Sequence, residues 1–131
     1  MRLLLDTHIW LWTLLQPDKL GARVRDELSS PGNERWLSPI SVWELLILEK
    51  KGRIALGLNV GDWVARALEA ASLKEAPLTT EVVLATREIQ LPHRDPADSF
   101  LAATAKVFDL TLVTADARLL GVEEVSTLPN R

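Results

Sequence analysis

Asp6, Glu44, Asp98 and Asp116 are the side chains of this sequence best placed to do chemistry together. Asp6 directly follows the apolar run Leu3-Leu4-Leu5, and Asp116 follows Thr111-Leu112-Val113-Thr114 after one residue. Glu44 and Asp98 each read as lying in the first turn of a helix, one after Trp36-Leu37-Ser38 and the other after Asp95-Pro96. All four therefore stand where chain leaves a strand or loop and enters a helix. Singly, each is explained as a cap, because an acid at a helix start accepts backbone N–H groups that the helix leaves unpaired. Ser41-Val42-Trp43-Glu44 fits the S-x-x-E capping box, and Asp95 to Asp98 is an acidic version of that spacing. Together they read differently. Converging carboxylates repel one another and raise their own pKa values unless a cation joins them. Magnesium suits such a set, being a hard cation that takes oxygen ligands in octahedral geometry and keeps several waters. A site of that kind orients water for in-line attack on a phosphodiester and stabilises the leaving oxygen. Helix N-termini nearby favour bound phosphate. The residues alone leave cap and metal ligand both open.

The elements that must position these acids can be read from the apolar pattern. Leu3 to Leu5 reads as a buried strand feeding a helix over Ile9 to Leu15, closed by Gln16-Pro17. Residues 21–29 read as a polar amphipathic helix ended by Ser30-Pro31-Gly32-Asn33. Trp36 to Ser38 reads as a second strand, and Ser41 opens a helix through Lys51 that Gly52 stops. Further helices are expected over Val60 to Ala71 and Thr79 to Ile89, with a short strand around Leu73 to Ala76. Leu91 to Arg94 is a loop. Asp95-Pro96 starts a helix to about Phe108, with proline where its missing N–H costs nothing. Thr111 to Thr114 is the clearest strand, and a short helix follows Asp116. A last strand is expected near Val122 to Val125. Strands alternating with helices predict an α/β fold: a central, mostly parallel sheet with helices on both faces. In such sheets reactive groups gather beyond the carboxyl ends of the strands, which is where Asp6 and Asp116 stand.

Composition narrows the class. The 131 residues suit a single domain spanning 1–131, with 47% apolar and 25% charged residues as in ordinary globular chains. No apolar run suggests a membrane span. The early Asp6 interrupts what would be a signal peptide's apolar region. The absence of cysteine excludes disulfides and thiolate metal sites, and a cytoplasmic protein is the plain reading. A net charge of −3 counts against coating DNA but leaves room for an enzyme that meets phosphate through a metal and a local patch. The densest basic stretch, Lys50-Lys51-Gly52-Arg53, reads as a solvated helix end.

Outside the acids, His8 stands within a turn of Asp6, where proton transfer is conceivable and a place on a helix surface is the plainer reading. His93 and Arg94 share a loop. Arg94 and Arg118 flank the acidic motifs as candidates for phosphate contact or as partners for the acids. Two histidines and no cysteine argue against structural zinc. Trp10 and Trp12 are two apart, so they cannot share a helix face. One should be core and the other an association surface, with stacking on an RNA base as the alternative.

Asp98-Ser99-Phe100-Leu101-Ala102-Ala103-Thr104-Ala105, followed by Leu112-Val113-Thr114-Ala115-Asp116, resembles the C-terminal half of a PIN domain. Leu3-Leu4-Leu5-Asp6-Thr7 and Ser41-Val42-Trp43-Glu44-Leu45 match its other two motifs in order, so the likeness spans nearly the whole chain. Within that family the sequence looks most like VapC-type toxins of bacterial and archaeal toxin–antitoxin pairs. The resemblance implies a magnesium- or manganese-dependent endoribonuclease with a PIN-like parallel sheet, homodimerisation, and inhibition by a VapB-like antitoxin. It implies Asp6 and Asp98 as principal metal ligands, with Glu44 and Asp116 completing the acidic cluster. Thr114 matches a position whose hydroxyl supports the site, and Asp95 an acid found in a subset of members. Rival folds fit less well. A receiver domain wants paired acids after the first strand and a late lysine, a dehalogenase-like phosphatase wants Asp-x-Asp where Asp6-Thr7-His8 stands, and no Gly-rich phosphate loop is present. Two further alternatives are an inactive PIN-like module that binds RNA or protein, and an RNA-processing nuclease outside any toxin–antitoxin pair.

Overall fold

A computed structural model describes residues 1–57, 59–92 and 95–131. His93 lies outside the described residues, and so does Arg94, the candidate for phosphate contact or for pairing with the acids. Strand β1 (Arg2–Leu5) leads through helix α1 (Thr7–Leu15), a 3-10 turn and α2 (Ala22–Ser29) to β2 (Glu34–Leu37). Helices α3 (Pro39–Lys50) and α4 (Val60–Ala70) connect it to the short β3 (Lys74–Glu75). Then come α5 (Thr80–Ala85), α6 (Pro96–Phe108), β4 (Thr111–Thr114), α7 (Ala117–Leu120) and β5 (Thr127–Pro129). The strands form one sheet in the order β3-β2-β1-β4-β5, and every pair is parallel.

Alternation along β1 divides the interior into two cores, because successive side chains on a strand point to opposite faces. Leu3 and Leu5 face a cluster with Ile9, Trp10, Val24 and Leu45, drawn from α1, α2 and α3. Leu4 faces the other way, onto Val82, Leu101, Ala102, Leu112 and Leu119. Helices therefore cover both faces, as the strand–helix alternation predicts. Trp10 is fully buried and meets Trp63 of α4 edge-on at 5.9 Å, whereas Trp12 is only partly buried. Of that pair, Trp10 is the core residue and is no surface anchor.

Three expectations need correction. The last strand is Thr127–Pro129, not Val122 to Val125. Val122 and Val125 lie in turns after α7, where both bury their side chains in the Leu4 core. Their apolar character reflects packing, and Pro129 fits an edge strand, where a missing N–H costs little. Helix α3 begins at Pro39, capped by the Ser38 hydroxyl, which accepts the Ile40 N–H at 3.1 Å. Ser41 is thus inside the helix, no capping box forms, and Glu44 belongs to the second turn. The helix expected from Thr79 to Ile89 ends at Ala85 and tightens into a 3-10 turn over Thr86–Glu88. Among the described residues no helix is long and apolar enough to cross a membrane.

Candidate metal centre

Chain order reverses direction across the sheet between β1 and β4. A sheet ordered 3-2-1-4-5 sends its connections one way from β1 and the other way from β4, which opens a crevice at the carboxyl ends of these two strands. Asp6 leaves β1 there and Asp116 leaves β4. Both are caps as well: Asp6 Oδ1 accepts the Ile9 N–H at 2.9 Å and Asp116 Oδ1 accepts the Arg118 N–H at 2.9 Å. The first turn of α6 brings Asp98, which is buried, and the second turn of α3 brings Glu44. Asp95 caps α6 by accepting the Ala97 N–H at 3.0 Å, with Pro96 next to it. The five acids line one cleft of about 330 Å³ together with Thr7, His8, Trp12 and Arg118.

Two hydroxyl relays fix the carboxylates. Thr114, fully buried at the end of β4, donates to Asp6 Oδ2 at 2.5 Å and accepts the Asp116 N–H at 3.0 Å. One hydroxyl thus ties together the two acids that leave neighbouring strands. Thr7 donates to Glu44 Oε1. Its oxygen lies 2.9 Å from the Ser41 hydroxyl, and with its single proton committed to Glu44 it accepts from Ser41. Thr7 and Ser41 were missed as positioning residues. Their signal was present, since Thr7 follows Asp6 and Ser41 lies one turn before Glu44, but Ser41 was assigned to a cap that does not form.

Burial and mutual repulsion govern the electrostatics of Asp6 and Glu44. Burial pushes the Asp6 carboxyl above the usual range, against the hydrogen bonds from Thr114 and Ile9, and Asp98 adds repulsion. Burial likewise raises Glu44, opposed by the Thr7 hydrogen bond and reinforced by Asp95 and Asp98. Arg118 answers part of this charge. Its Nη2 donates to Asp116 Oδ2 at 2.9 Å and its Nε to Oδ1 at 3.1 Å. Asp116, Asp98 and Asp95 all stabilise its guanidinium. His8 is exposed, with its ring 5.9 Å from that of Trp12.

Among the described residues no three Asp, Glu or His side chains are grouped so as to hold an ion by themselves. The donor set still fits magnesium or manganese. Magnesium is commonly held by one or two carboxylates, with waters and substrate phosphate filling the remaining positions. Two buried acids that repel each other, Asp6 and Asp98, would meet that minimum.

Residues 3–125 match the sequence model of the PIN domain family. No sequence among the curated proteins matches the chain. Among solved structures, VapBC2 from Rickettsia felis bound to a DNA fragment from their promoter is similar at a TM-score of 0.75 and 17% identity, with 100% of both chains covered. DNA-bound VapBC from Salmonella typhimurium gives 0.68 at 16% identity, with 98% of each chain covered. VapBC-5 from Mycobacterium tuberculosis, a member of the VapBC family of toxin–antitoxin systems, gives 0.60 at 19%, again over 98% of each chain. At these identities the likeness is one of fold.

Proposed function

The chain belongs to the PIN domain family, and from that premise we propose that it is a divalent-metal-dependent endoribonuclease, a single domain acting as the toxin of a VapBC-like toxin–antitoxin pair. The observation that carries this reading is the gathering of Asp6, Glu44, Asp98 and Asp116 around one cleft at the reversal point of the sheet. Magnesium or manganese, when bound, supplies an activated water and neutralises charge on the phosphate. Asp6 and Asp98 would hold it, with Glu44 and Asp116 beside them.

The chain's own residues do the rest. Thr114 holds the Asp6 carboxylate and the backbone N–H of Asp116, and the Ser41–Thr7 relay holds the Glu44 carboxylate. The N-termini of α1 and α6 direct partial positive charge toward the same cleft and favour an anionic substrate. Arg118, at the rim of the same acids, would contact the substrate phosphate. Asp95 caps α6, the helix whose first turn carries Asp98. The toxin assignment draws on the VapBC fold likeness, and it carries with it a VapB-like antitoxin, a homodimer and a cytoplasmic setting.

Purified chain should cut single-stranded and structured RNA with magnesium or manganese and lose that activity in excess chelator. Cleavage that persists unchanged with chelator would overturn the reading. Expression without a neighbouring antitoxin should arrest growth, while Asp6→Asn should not. A wild type tolerated freely would instead favour an RNA-processing nuclease.

A further inference from the structure

Arg118 has a place in the cleft that neither capping nor surface solubility explains. It follows Asp116 by two residues and folds back on it with a two-point grip, Nη2 on Oδ2 at 2.9 Å and Nε on Oδ1 at 3.1 Å, while its own backbone N–H is capped by the same Oδ1. A guanidinium matches a carboxylate in this paired geometry as no other side chain does. Both oxygens of Asp116 are thereby turned to a cation carried by the chain itself. The head group also lies in the field of Asp98 and Asp95 and lines the cleft with them. It is exposed, with 54% of its side chain accessible, so it can leave without unpacking anything.

On the reading that this cleft binds a divalent cation, we propose that Arg118 is a built-in counter-ion: it holds Asp116 in the metal-free chain and exchanges that partner for a substrate phosphate when metal takes its place. The exchange leaves the guanidinium with an anionic partner at each stage. Before metal, the guanidinium offsets acids that would otherwise repel. Once a dication sits among them, the guanidinium is repelled, and the nearest anion of matching shape is a phosphodiester oxygen pair. Metal and RNA then bind cooperatively, since each favours the arrangement that the other needs.

The test compares wild type, Arg118→Gln, Asp116→Asn and the double variant, all as full-length metal-depleted protein, with Mn2+ binding read directly by calorimetry. Removing the competing cation should tighten Mn2+ about 2- to 5-fold, the scale of an exposed ion pair. That gain should vanish in the Asp116→Asn background, because the competition runs through Asp116. At saturating Mn2+, Arg118→Gln should weaken RNA use by about 10-fold, mostly in KM, as expected for one charge-assisted hydrogen bond to phosphate. A surface residue of purely structural value would not move metal affinity upward and RNA affinity downward together. Mn2+ binding that is unchanged or weaker in Arg118→Gln, or a gain that survives in the double variant, overturns the exchange. Tighter Mn2+ binding without RNA cleavage by either protein upholds the counter-ion and instead removes the nuclease reading.

Discussion

Asp6 meets two demands with one side chain. Oδ1 closes the first turn of α1, while Oδ2 is held by Thr114 at the floor of the cleft. Asparagine caps a helix about as well as aspartate, so Asp6→Asn should leave stability nearly unchanged, or raise it without metal as repulsion from Asp98 falls. Cleavage should drop on the order of 100-fold or more, because an amide is a poor magnesium ligand. Asp98→Asn should behave alike, and variants that cut RNA at wild-type rate would reduce both residues to structural roles. The pH dependence follows from the same burial. Asp6 and Glu44 hold their protons more tightly folded than unfolded, so the folded chain is favoured below the usual carboxylate range. That advantage is lost as pH rises through the window between the ordinary and the raised values. The lowered carboxyls of Glu34 and Glu88, paired with Lys74 and Lys106, have the opposite sign but sit at the surface, where solvent screens them. Metal-free protein should therefore melt lower as pH climbs out of the ordinary carboxylate range, and Asp6→Asn should flatten the slope. RNA cleavage should move the other way over that window, rising as the ligands ionise. A slope that is identical in Asp6→Asn would show that another group is responsible.

Helix starts decided how well this chain could be read at the scale of elements. Asp6, Asp95 and Asp116 are caps in the structure as their positions suggested, since an acid beside a strand end or a proline is a local signal. Ser38 and Ser41 were harder, because both precede a helical pattern and only Ser41 completes S-x-x-E. Pro39 settles the choice physically: proline fits the first helical position, which makes the preceding Ser38 the cap. Ser38→Ala should then cost about 1 kcal/mol of stability while sparing cleavage. Ser41→Ala should do the reverse, loosening Thr7 and Glu44 and slowing cleavage with a smaller change in melting temperature. Equal effects of the two on activity would remove the relay. The misplaced β5 has a different origin. Val122 and Val125 carry the apolar signal of a strand but belong to turns, whereas Thr127-Leu128-Pro129 has one buried apolar side chain and pairs through its backbone. Backbone pairing leaves no mark in the sequence when a strand is this short.

At the scale of the molecule, the alternation of strands and helices made the parallel sheet legible, but not the order β3-β2-β1-β4-β5. Order depends on which side of β1 each crossover packs, and that is settled by two cores whose members come from distant segments, such as Leu4 with Leu101 and Leu3 with Leu45. The same order makes Asp6 and Asp116 neighbours across 110 residues, so the site could be read as a list of acids but not as a cleft. What the two cores leave outside also has a consequence. Trp43 and Leu46 of α3 and Val83 and Leu84 of α5 stay exposed, at 51%, 40%, 47% and 64%. Where exposed apolar side chains adjoin, they mark association surfaces, while scattered ones are ordinary. The proposed homodimer gives them a use. Leu84 is the sharpest probe, since at 64% exposure a change there should alter folding stability by no more than about 0.5 kcal/mol. Light scattering on the isolated chain should therefore report a dimer for wild type and a shift toward monomer for Leu84→Lys and Trp43→Glu at equal melting temperature. Wild type that stays monomeric at high concentration would leave these side chains to another partner, and dimers unaffected by either substitution would place the interface elsewhere on the chain.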